Sequence, residues 1–140
     1  MPRRFIFPLP RTSDIHQQVT AFCVKKKVKK GWISIIGATE EATLGYYDQK
    51  RHTYHQRVFK EELEIVSCSG NVSMKEGKAF LHLHAALGDT KLRTWGGHLF
   101  PGSKVFAAEV FIQEVEGAPL KRTPDASTGL FLWKCRLPSA

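Results

Sequence analysis

Apolar and polar positions along this chain fall into two regimes. Ile15, Val19, Phe22 and Cys23 recur at helical spacing and predict one amphipathic helix of about three turns. Ser13 or Thr12, just before it, is the expected acceptor for the first free amides. Lysines crowd its far end, where they suit the negative pole of the helix dipole, and Gly31 is the expected stop. Everything else reads as strand. RFIFPL precedes the helix, and GWISIIG follows it between glycines. ATLGYYD and TYHQRVF flank the polar QKRH as a hairpin. LEIVSCSGNVSM alternates, with Leu63, Ile65 and Ser67 expected on one face. A KEG turn leads to KAFLHLHAALGD, a GDT turn to KLRTWGGHLF, and SKVFAAEVFIQEV is apolar enough for a central strand. EGAPLKRTPDASTG reads as a polar loop and GLFLWKC as a last strand. Many strands with short turns and one helix predict an α+β domain, a mostly antiparallel multi-stranded sheet carrying a single packed α-helix.

Composition narrows the class. The 140 residues suit a single domain, 1–140, with 42% hydrophobic and 24% charged residues, the balance of an ordinary globular protein. No apolar stretch approaches the roughly 20 residues of a membrane-spanning helix, so no membrane partner is expected. MPRRFIFPLP imitates a signal peptide, but Pro8 and Pro10 break its apolar patch and no small-residue cleavage site follows. Cys23, Cys68 and Cys135 are odd in number, widely spaced and set among apolar neighbours. Reduced, buried thiols in a cytoplasmic protein account for them. The net charge of +8 favours a polyanionic partner, and Lys25, Lys26, Lys27, Lys29 and Lys30 are the candidate DNA contacts.

The candidate chemistry lies in FLHLHAALGD and WGGHLF. Alternate residues of a strand share a face, so His82 and His84 project together with α-carbons about 6.5 Å apart. Leu83 points the other way. His98 lies on the strand expected to pair with theirs, and Gly96 and Gly97 beside it have no side chains to block approach. Three imidazoles with a fourth position open describe a catalytic-type zinc site, although iron, nickel and copper accept the same ligands. Histidines that merely bond across a sheet or face solvent have the same spacing, so both readings stand at this point. His16, on the helix, and His52 and His55, in a charged hairpin, have the weaker claim. Ser67 and Ser69 have no catalytic partner at a telling distance. Asp89 is expected to accept backbone bonds in its turn. Glu109, a carboxylate inside an apolar strand, is a candidate to orient a ligand histidine or act as general base.

Four stretches in order, GWISIIGATEEATLGYYD, LEIVSCSGNVS, FLHLHAALGD and GGHLFPGSKVFAAEVFI, together with the closing RTPDASTGLFLW, resemble the plant and prokaryote conserved domain. The resemblance runs from about Phe5 to Trp133. It implies an α+β fold assembled as a homotrimer, with His82, His84 and His98 as a divalent metal cluster and a DNA-binding or regulatory role. In plant members the minor-groove contact belongs to an arginine–glycine–arginine–proline core. Here Pro2 to Arg4 lack the glycine, so any DNA contact would fall to net positive charge.

Overall fold

The computed structural model describes residues 1–134. It orders the chain as β1 (Arg4–Leu9), α1 (Ile15–Lys26), β2 (Gly31–Asp48), β3 (Thr53–Phe59), β4 (Leu63–Lys75), β5 (Lys78–Gly88), β6 (Thr94–Leu99), β7 (Lys104–Glu114), β8 (Lys121–Asp125) and β9 (Leu130–Leu132). The predicted α+β class with one helix holds. Cys135 lies outside the described residues.

The helix begins one residue later than the Ser/Thr reading. Asp14 caps it, its carboxylate accepting the Gln17 amide at 2.9 Å. Ile15, Val19 and Cys23, one helical turn apart, are fully buried. Phe22 stacks on Phe7 of β1 with ring centres 4.0 Å apart. The stop is not Gly31 but Lys27, held in the left-handed region at φ 56°, with its amide and that of Val28 closing the last turn. Gly31 instead opens β2, where a side chain would strike the Gln113 carbonyl of β7.

The two segments GWISIIG and ATLGYYD are one strand of 18 residues. Its first half pairs with β4 and β7, and its second half with β3 and β6, all antiparallel. Because β4 also pairs with β5, and β5 with β6, the strands β2, β4, β5 and β6 close a ring. Register shifts on β2 make the bend that closure needs. Gly37 is the pivot, at φ 136° and packed against the Ala107 carbonyl, where only glycine fits. Ile33, Ile35, Leu44, Cys68, Val72, Leu83, Leu87 and Leu99 are buried in the core cluster. Each such aliphatic contributes about 1.5–3 kcal/mol by burial.

A second shift, between Ile65 and Ser67 of β4, turns Ser67 outward and Cys68 inward, against the simple alternation expected. The polar loop after β7 also holds a strand. β8 adds parallel to the end of β4 through Met74 and Lys75, and β9 folds back on it. Asp89 fills its predicted part, accepting the Lys91 and Arg93 amides at 2.8 and 3.0 Å and the Arg93 guanidinium. Burial opposes its ionisation, but these bonds and that of Trp95 outweigh it and hold its carboxyl down at about 2.

Candidate metal centre

Strand geometry alone puts His82 and His84 on one face of β5, with Leu83 between them wholly inside the core. The β5–β6 register places His98 directly opposite His84. The three ring centres lie 4.9, 5.3 and 5.7 Å apart, and one nitrogen from each comes within 4.8 Å of the others. His82 and His84 hold their Nε2 atoms 3.2 Å apart. Two nitrogens bound tetrahedrally to one ion at 2.0–2.1 Å would sit about 3.3 Å apart. The Nδ1 of His98 is buried with no hydrogen-bond partner among the described residues. A donor set of three convergent imidazoles, one of them unpartnered, fits a divalent ion.

The electrostatics favour neutral rings at His82 and His98, the state a metal requires. Burial, then His84 and Arg122, bring His82 down to about 4. Burial, then His82, His84 and His16, bring His98 to about 4 as well. Both lie below the ordinary 6.5, so the unfolded chain binds more protons than the folded one between those values. The stability is therefore complete above about pH 6.5 and is lost as pH falls toward 4. Chelator-treated protein is expected to lose about 2 kcal/mol of unfolding free energy between pH 7.5 and 5.0, after allowance for solvent screening of half-buried rings. Urea titrations at the two pH values measure it, and a flat profile would contradict the neutral cluster.

Gly97, beside His98, has a packing role as well. A side chain on Gly97 would meet the Gly45 carbonyl at 2.7 Å, so its lack of one lets β6 close against β2. Gly45 in turn leaves room for the Phe100 ring, which packs edge-on against His98 at 4.6 Å and against Tyr54 at 5.0 Å. These rings help fix the imidazole's orientation.

Glu109 is not part of this site. It is exposed on β7, between Pro8 of β1 and Ile36 of β2, because Val105, Ala108, Val110 and Ile112 take the inward positions. Its expected burial therefore fails, and with it the role beside the histidines. Lys25 and Lys26 are exposed in the last turn of α1, and Lys27 and Lys29 are exposed just beyond it. Lys30 instead donates to the Glu116 carbonyl at 3.0 Å. Cys23 and Cys68 are free and buried, and burial raises each thiol to about 12.

The site also contains residues that local pattern did not single out. His16 has a buried Nδ1 without a hydrogen-bond partner among the described residues, and burial lowers its pKa. His16, the three clustered histidines and Arg122 line one cavity of about 1590 Å³ between α1 and the β8–β9 hairpin. Arg122 is 8% exposed and donates from Nε to Ser73, from Nη1 to the Phe131 carbonyl and from Nη2 to Asn71. Ser69, Asn71 and Ser73 pair across with His84, His82 and Phe80 and so share their face. Their period-two polar pattern in SGNVS was the available signal. Arg122 had none, because Ser73 and Asn71, its contacts on β4, are some 50 residues away in the chain.

Residues 1–116 match the Plants and Prokaryotes Conserved (PCC) domain. Among solved structures, a metal-containing protein from Archaeoglobus fulgidus is 43% identical, with TM-score 0.90 over 94% of this chain and 92% of that one. A plant- and prokaryote-conserved protein from Pyrococcus horikoshii is 32% identical, with TM-score 0.92 over 99% and 97%. A candidate DNA-binding protein from Bacteroides thetaiotaomicron is 29% identical, with TM-score 0.86 over 94% and 91%. The bifunctional protein GlmU of Synechococcus sp. strain JA-3-3Ab is 33% identical over 118 residues, 83% of this chain. The chain spans only 18% of the length of that relative, and 17% of a second GlmU from another Synechococcus strain.

Proposed function

The chain belongs to the Plants and Prokaryotes Conserved domain family, and we propose that it holds a divalent metal, zinc in the first instance, through His82, His84 and His98. The 3.2 Å separation of the His82 and His84 Nε2 atoms carries this reading, because it matches two ligands of one tetrahedral ion. All three imidazoles line the same cavity, so a fourth coordination position would be accessible to a small molecule. A structural zinc is closed by four protein ligands, whereas an ion left with three acts on what enters the fourth place. Bound there, the ion would supply Lewis acidity and lower the pKa of a coordinated water. The function is thus a metal-dependent one toward a small ligand, as sensor or enzyme. The metal-containing Archaeoglobus relative supports the ion itself. Metal analysis of protein purified without added metal is the test. About one equivalent per chain is expected, and less than about a tenth would overturn the reading.

Self-association and DNA complete the proposal. Trp32, Ile36 and Val66 are more than half exposed on the outer side of the paired strands β2 and β4, apolar surface that a homotrimer would cover. DNA association is the regulatory reading, supported by the net charge of +8, exposed Lys25, Lys26, Lys27 and Lys29, and the Bacteroides neighbour. No helix among the described residues is long and apolar enough to cross a membrane. The proposed setting is the cytoplasm, where Cys23 and Cys68 would stay reduced. Light scattering should give three times the chain mass, and duplex binding should weaken steeply between 50 and 200 mM salt. A monomeric mass, or no binding at 50 mM, would remove the respective part.

A further inference from the structure

Arg122 presents a problem of charge. A buried guanidinium ordinarily faces a carboxylate, because an uncompensated buried cation is costly. Here its three hydrogen-bond partners among the described residues are a hydroxyl, a side-chain amide and a backbone carbonyl, and the Phe80 and Trp133 rings flank it at 5.1 and 4.9 Å, so no carboxylate balances its charge. Two of its five N–H groups are left over, one on each terminal nitrogen, the pair a carboxylate accepts. Arg122 is also close to the histidines. Its Nη2 donates at 3.1 Å to Asn71, the residue directly opposite His82.

The cavity that these groups share is short of negative charge. Its one acidic lining residue is Asp14, whose two oxygens are occupied by the Gln17 and Gly102 amides. Lys75 adds a further cation on the same wall, with its ammonium 3.9 Å from the centre of the Phe131 ring. Between the cations the lining is apolar, with Phe80, Leu130, Phe131 and Leu132 contributing. A dication on the histidines would make the deficit larger. From this arrangement we infer that the cavity binds a small organic carboxylate, its carboxylate on Arg122, its apolar body against Phe80 and Phe131, and a second oxygen toward the histidine-bound ion.

The second-oxygen contact rests on the metal reading above; the preference for an anion at Arg122 does not. The probes are 3-phenyllactate, its uncharged analogue 3-phenylpropane-1,2-diol, and phenyl phosphate, titrated by calorimetry into zinc-loaded and chelator-stripped protein. Wild-type protein is expected to bind the acid at least about tenfold more tightly than the diol, the scale of one charge-assisted pair. Arg122→Gln is expected to abolish that difference while zinc content stays the same. Equal binding of acid and diol by the wild type needs no variant to interpret and overturns the inference. So does an Arg122→Gln protein, folded by circular dichroism, that keeps the preference. Phenyl phosphate binding tenfold above the acid would overturn the choice of carboxylate. If the acid preference persists in protein that takes up no zinc, the metal reading fails and the anion site stands. If zinc binds and the acid is not preferred, the reverse holds.

Discussion

A His82→Ala, His84→Ala double variant is expected to leave purification with less than about a tenth of an equivalent of metal per chain, against about one for the wild type. Four-ligand zinc sites carry about 10–16 kcal/mol of apparent binding free energy, so each ligand accounts for about 3 kcal/mol. Removing two of three imidazoles should then weaken binding about 10⁴-fold, leaving His98 alone. The fold should survive, because His84 is exposed and His82 is only partly covered, while the intervening Leu83 that anchors the strand is untouched. If the histidines were only structural, the melting temperature would fall and no metal would be lost. The variant therefore separates the two origins of this cluster with one elemental analysis and one melt.

Why these three residues could be named in advance, and others could not, follows from how far each depends on neighbours. The shared face of His82 and His84 needs only the two-residue period of a strand. His98 needs one further step, the pairing of consecutive strands β5 and β6, which sequential antiparallel strands commonly make. Glu109 shows the limit of the same reasoning. Its strand is apolar on both sides, with Phe106 and Phe111 outward of Val110 and Ile112, so hydrophobicity did not reveal which face was buried. The bulges of β2 and β4 are likewise silent in an alternation pattern, yet they turn Ser67 outward and let the sheet close. The parallel addition of β8, which delivers Arg122, joins segments nearly 50 residues apart and leaves no local trace. His16, on the helix, had the weaker claim as a ligand. It is desolvated only because the cavity wall it joins is built from strands distant in sequence.

Gly70→Ala is expected to destabilise the protein by about 3–5 kcal/mol and to loosen the histidine cluster with it. Gly70 lies on β4 opposite Leu83, flanked by Ser69 and Asn71, which pair with His84 and His82. A methyl group there would overlap the His82 carbonyl oxygen and come within 2.8 Å of its carbon and 2.9 Å of the Leu83 Cα. All three atoms are backbone, so no side chain can swing aside. The two strands would have to part at the rung that carries His82, across a core that resists such shifts. Separation would also pull Asn71 from its place beside Arg122, joining the stability loss to both proposed ligand contacts. Gly77→Ala is the control. It sits in the β4–β5 turn at φ 76° with open space around it, so alanine should cost only about 1–2 kcal/mol of left-handed strain. Metal content should not change in that variant. Denaturant titrations of both variants, each paired with zinc content, make the comparison. A Gly70→Ala protein as stable as Gly77→Ala, with full metal content, would show that the strands part without consequence and that His82 is not held by this contact.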